Sequence, residues 1–189
     1  MPQLTMERAK ELLATTTTEK HLFDHAIGVS ACMGAMAAHF GADRAWWEAV
    51  GYLHDYDFEQ FPEEHLKHTE APLREAGVDE ESIRCILAHG YGHCTEVEPL
   101  TDMEKSLFTV DELSGLIAAN AKMRPAGILD LEASSVKKKF KDKKFAAKID
   151  RAVIQRGCDM LGMELAEVIT LCIEGMRPYA DELGIGAKE

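Results

Sequence analysis

The chain has 189 residues, with 21 Lys+Arg against 33 Asp+Glu for a formal charge of −12, and is 46% hydrophobic and 29% charged. That length suits one domain with a proper apolar core, the composition argues against intrinsic disorder, and the acidic balance argues against a general nucleic-acid binder, which needs a basic surface. The charge is uneven, however: residues 137–148 hold seven Lys and one Asp, a local +6 that leaves −18 for the rest.

Taken in order, the chain reads as helix nearly throughout. The opening MPQLTMERAKELL is amphipathic and charged, without the apolar stretch of a signal peptide. Leu22, Ala26, Val29, Met33, Met36 and Phe40 recur at three- and four-residue steps, and Gly41 stops that helix. Asp43 caps the next, with Trp47, Val50 and His54 along one face, so that one of the adjacent Trp46 and Trp47 must point away from the core. Pro62 with Glu63 and Glu64 opens a short helix. Asp79 caps a segment that runs to His89 and ends at Gly90. Thr101 and Glu104 form a capping box for a helix carrying Leu107, Val110, Asp111, Ser114 and Ile117, which ends at Arg124-Pro125. Ser135 or Asp142 is expected to start a helix with Phe145, Ile149 and Val153, and residues 164–176 form a last amphipathic stretch.

No alternating strand and no internal repeat is visible. The expected fold is therefore an all-α bundle of roughly seven to nine helices, with residues 1–125 as its core. Residues 126–189 would pack on or cover that core, joined by a hinge between Ala126 and Ser135. Five Cys, an odd number without a Cys-x-x-Cys pair, read as reduced thiols, and no run approaches the ~20 apolar residues of a membrane span. A cytoplasmic protein is expected.

All eight His precede residue 94. Three of them fall on apolar helix faces: His25 between Leu22 and Val29, His54 after Trp47 and Val50, and His89 ending the line of Ile83 and Ile86. Asp111 stands four after Leu107 in the same way. A single such His usually just bonds a backbone carbonyl. Several on successive helices, with a carboxylate that burial would otherwise disfavour strongly, point to a metal site. Imidazole and carboxylate donors suit Zn, Fe, Mn, Co or Ni, and the lack of paired thiolates argues against a structural zinc.

His25, the adjacent pair His54-Asp55 and the distant Asp111 resemble the H…HD…D pattern of the HD superfamily of metal-dependent phosphohydrolases. LHDYDFEQFP (53–62), the helix VDELSGLIAANAKMRP (110–125) and the basic SVKKKFKDKKFAAKIDR (135–151) are similar to a branch of small stand-alone HD proteins. The resemblance spans roughly residues 20–155. It implies an HD-domain helical bundle and one or two divalent ions (Mn, Fe, Co, Ni, Mg or Zn). Two are favoured, because His68 and His89 match the extra positions of dinuclear members; His65 and His93 are the alternatives by register.

The implied ligand set is His25, His54, Asp55, His68, His89 and Asp111, with Asp55 bridging. The implied activity is hydrolysis of a phosphoester of a small molecule or nucleotide through a metal-activated water. Asp57, two after Asp55, is the best candidate for a general acid at the mouth of the site. Asp57 and Phe58 replace the last two places of the common HD-x-G-K form and remove a lysine some relatives use. The Lys run could supply charge over a substrate's phosphates, although charge runs usually form a solvated face. A di-iron oxygenase on the same fold and a non-catalytic metal-containing nucleotide sensor are the competing readings.

Overall fold

The computed structural model describes residues 3–188 and is all helical, with nine α-helices and no strand among the described residues. They are α1 (Met6–Leu13), α2 (Lys20–Phe40), α3 (Arg44–Leu53), α4 (Glu70–Glu75), α5 (Glu80–Ala88), α6 (Asp102–Lys122), α7 (Ala133–Lys141), α8 (Arg151–Leu161) and α9 (Leu165–Met176). Short 3₁₀ turns occupy Pro62–Glu64 and Arg177–Tyr179. No described helix is long and apolar enough to cross a membrane.

The two 21-residue helices, α2 and α6, form the centre. α2 packs against α3, α6 and α9, and α6 packs against α5, α7 and α8. Small residues let these axes approach. A Cβ at Gly175 of α9 would lie 2.5 Å from the Ala31 carbonyl oxygen of α2, and one at Gly157 of α8 would lie 3.0 Å from the Thr109 Cα of α6. α2 ends where Gly41 turns left-handed at φ 64°, a conformation only glycine adopts without penalty. The caps of α3, α5 and α6 are made by Asp43, Asp79 and the Thr101–Glu104 capping box, each as the sequence suggests. Trp47 is buried, whereas Trp46 lies at the boundary and donates its indole N–H to the Ser82 hydroxyl at 2.8 Å.

Two expectations for the C-terminal third are corrected. Helix does not run from Ser135 or Asp142 through Val153. α7 ends at Lys141, residues 142–150 form an irregular strap, and α8 restarts at Arg151 under the Asp150 cap. The cause is Asp150, whose carboxylate accepts the Ala152 and Val153 amides and so favours a helix start over a helix interior. The segment from Ala126 to Ser135 is not a free hinge either. Ile128 and Leu131 are fully buried, the Ile128 amide donates to the Ile185 carbonyl, and the Arg177 guanidinium donates to the carbonyls of Ile128 and Leu131. Residues beyond 125 thus belong to the same packed body, since Ile154, Val168, Ile169 and Ile173 share the apolar core with α2 and α6.

Candidate metal centre

Side chains from α2, α3, α5, α6 and the loop after α3 converge at one end of the bundle, at the floor of a recess of about 540 Å³. α2 contributes His25 and α6 contributes Asp111, whose Oδ1 lies 2.9 Å from the His25 Nε2. α3 and α5 end on His54 and His89 respectively. Each of these two rings turns back along its own helix, Nδ1 donating to the carbonyl three residues earlier: His54 to Gly51 at 2.6 Å, His89 to Ile86. The last carbonyls of a helix have no partner within it, so a terminal His satisfies one of them and fixes its own tautomer in doing so. In both residues the proton is thereby placed on Nδ1, and the lone pair of Nε2 faces the cluster.

Asp55 follows directly after the end of α3, and its two oxygens face different histidines. Oδ2 is 3.4 Å from Nε2 of both His25 and His54, while Oδ1 is 3.2 Å from Nε2 of His65 and 3.6 Å from that of His89. The donors therefore divide into two sets sharing Asp55, one with His25, His54 and Asp111, the other with His65 and His89. Within each set the imidazoles are close: the Nε2 atoms of His25 and His54 are 3.2 Å apart, as are those of His65 and His89. Such closely spaced, inward-facing nitrogens and carboxylate oxygens could hold a metal ion.

His65 occupies the position expected of His68. His68 is exposed, stacks on Phe61 and bonds Glu64 at 2.9 Å; the structure does not bring it to the cluster. The reason is the chain reversal at Leu66, which takes φ 70° and buries its side chain against Gly90. A helix-like spacing of His65 and His68 therefore does not apply, and the two rings point to opposite sides. His93 lines the outer recess, 3.8 Å from Asp150, and lies outside the cluster.

Asp57 is a second correction. Instead of standing at the mouth it is 1% exposed, and every contact it makes goes to the loop: Oδ1 accepts from His65 Nδ1 at 2.8 Å and from the Leu66 amide at 3.0 Å, and Oδ2 accepts from the His68 amide at 3.0 Å. It is a positioning residue that holds His65 with Nε2 inward, the carboxylate–histidine arrangement typical of metal ligands.

The electrostatics follow from packing six ionisable groups together. Burial opposes ionisation of Asp55, but His54, His65 and His89 outweigh it and hold its pKa well below the usual carboxylate range. Burial is likewise outweighed at Asp111, by His25 and His54, and its pKa is lowered. Burial opposes the charge on His65, yet hydrogen bonds to Asp55 and Asp57 push its pKa up to about 9. His54 is also raised, by Asp55 and Asp111 against burial, whereas burial and the neighbouring imidazoles lower His89. The carboxylates are thus ionised at neutral pH and attract cations, protons when nothing else is present.

Several recess residues carry no pattern in the sequence that marks them. Phe58 stands edge-to-face on His65. Glu112 points into the recess, where burial and the adjacent Asp111 push its pKa up to about 7. Lys148, Ile149 and Asp150 reach it from the strap. The adjacency of Glu112 to Asp111 was a usable signal; nothing local marks Lys148. No family model, no curated protein and no solved structure matches the chain.

Proposed function

We propose that the protein is a metal-dependent phosphohydrolase of the HD type, acting on a phosphoester of a small molecule or nucleotide. One observation carries the reading: four imidazole Nε2 atoms and the carboxylates of Asp55 and Asp111 gather in adjoining groups that could hold metal, with the rings of His54, His89 and His65 each anchored at Nδ1 by Gly51, Ile86 and Asp57. A histidine that merely fills a core satisfies itself with one carbonyl and has no reason to present its second nitrogen to a carboxylate shared with three others. The donor set, all nitrogen and oxygen with no thiolate among the six groups, suits Mn, Fe, Co, Ni or Zn.

His25, His54 and Asp111 would hold one ion and His65 and His89 a second, with Asp55 offering one oxygen to each. When bound, such ions supply a nucleophilic water near neutral pH and neutralise charge on phosphoryl oxygens. The chain's own contribution is to fix the donors in place before a substrate arrives. His54 and His89 are held by their own helices and His65 by Asp57, so little rearrangement is needed. The recess, about 540 Å³, has the volume of an ordinary small-ligand site and admits a phosphorylated metabolite or mononucleotide.

The test is metal analysis of protein purified without chelator, followed by phosphate release from a panel of phosphomonoesters with added Mn or Co. Stoichiometric metal that is lost in Asp111→Ala, with metal-dependent phosphate release, supports the reading. Bound iron with oxygen consumption and no phosphate release would replace it by the oxygenase, and tight nucleotide binding without turnover by the sensor.

A further inference from the structure

The irregular strap between α7 and α8 is held by a device the metal centre does not require. The Arg151 guanidinium contacts the carbonyls of Lys139, Phe140, Asp142, Phe145, Ala146 and Ile149. Ala146 takes φ 43°, a left-handed conformation that L-residues adopt at a cost and that the surrounding contacts must sustain. Two further contacts pin the strap to α6. The Asp150 amide donates to Glu112 at 3.1 Å, and Ile149 lies over Gly115, where an added Cβ would stand 3.0 Å from its Cδ1. The missing Cβ at Gly115 leaves room for the Ile149 side chain to pack closely on α6.

The consequence is the placement of Lys148. It lines the same recess as Asp55 and Asp111, and its ammonium makes no ion pair among the described residues. That is unusual in a recess lined by Asp55, Asp111, Glu112 and Asp150. The other six Lys of residues 137–148 do not line it, so the local charge of the run is not what faces the site.

We propose that the strap is the anion-recognition element of the site, with Lys148 contacting the phosphoryl group of the substrate and Arg151 acting as the positioning residue that holds Lys148 over the recess. The inference rests on the phosphohydrolase reading above. Lys148 is the one lysine of the run that lines the recess holding Asp55 and Asp111. A charge-assisted contact to phosphate contributes roughly 10- to 100-fold in affinity, about 1.4–2.8 kcal/mol.

The experiment is calorimetric binding of inorganic phosphate to the Mn-loaded full chain, with metal content measured on the same samples. Lys148→Ala should weaken phosphate at least tenfold with unchanged metal content, Lys148→Arg should restore most of it, and Lys138→Ala on α7 should match the wild type. Arg151→Lys should weaken phosphate as Lys148→Ala does and expose the Lys143–Lys144 region to trypsin. Phosphate affinity of Lys148→Ala within twofold of the wild type would overturn the proposal and leave the phosphohydrolase reading standing. Equal loss in Lys138→Ala would also overturn it, since a diffuse charge effect would then suffice. A Mn-loaded wild type that binds no phosphate would overturn both.

Discussion

Asp57→Asn probes the support of the centre without touching a donor. The carboxylate accepts three hydrogen bonds, two at Oδ1 from His65 Nδ1 and the Leu66 amide, and one at Oδ2 from the His68 amide. An asparagine has one oxygen. If it faces His65 and Leu66, its NH₂ opposes the His68 amide; if it is flipped, His65 and Leu66 lose their acceptor. At least one buried donor is left unpaired, which costs about 1–3 kcal/mol of stability. The negative charge that helps hold His65 also disappears, and loss of such an orienting group typically weakens metal binding 10- to 100-fold, about 1.4–2.8 kcal/mol. Competition titration of Mn or Co against a calibrated chelator, paired with urea unfolding of the metal-free protein, measures both effects. A variant that binds metal within twofold of the wild type and unfolds at the same urea concentration would refute the reasoning, because Asp57 would then neither orient His65 nor close the loop.

Other expectations test different parts of the account. His65→Ala should reduce metal affinity or stoichiometry by at least tenfold, whereas His68→Ala should match the wild type, since the His68 ring stacks on Phe61 and bonds Glu64 away from the cluster; isothermal titration of the pair decides between them. Gly175→Ala should destabilise the fold by about 1–3 kcal/mol in urea although alanine is the better helix former, because its Cβ would stand 2.5 Å from the Ala31 carbonyl and force α9 off α2; an unchanged or higher midpoint would contradict that close approach. In the metal-free protein, hydrogen bonds to Asp55 and Asp57 outweigh burial and push the His65 pKa from its ordinary 6.5 up to about 9. The folded state binds this proton more tightly, so its contribution to stability is complete below pH 6.5 and fades as pH rises through about 9. Urea midpoints of wild type and His65→Gln across pH 6–10 should therefore converge at the alkaline end, and parallel curves would contradict the assignment. Since ions and protons compete for the same nitrogens, metal loading should release protons and weaken as the pH falls.

Part of the candidate metal cluster is legible in the sequence because its residues sit where helical periodicity exposes them. His25, His54, His89 and Asp111 each interrupt an apolar face, and an interruption is detectable from spacing alone. His65 was not separable from His68 in this way. Three residues apart, they would share a helix face, but the 3₁₀ turn ends at Glu64 and Leu66 reverses the chain. That reversal depends on Asp57 and on space beside Gly90, neither of which is a local property. Asp57 itself looked like a mouth residue by proximity to Asp55, and only the packed loop shows that all its contacts face inward.

The amino-acid pattern by itself determined the helical class, the caps of α3, α5 and α6, the Gly41 stop and four histidine or aspartate positions on buried faces, because each follows from interactions within about one helical turn. Tertiary structure decided which histidines meet, the break between α7 and α8, and which of seven lysines reaches the recess. Those outcomes depend on contacts between residues far apart in the chain, such as Asp55 with His89, Glu112 with Asp150 and Gly115 with Ile149, and no local propensity encodes them. The overall charge of −12 likewise describes the whole chain; the placement of Lys148 in the recess is a property of the fold.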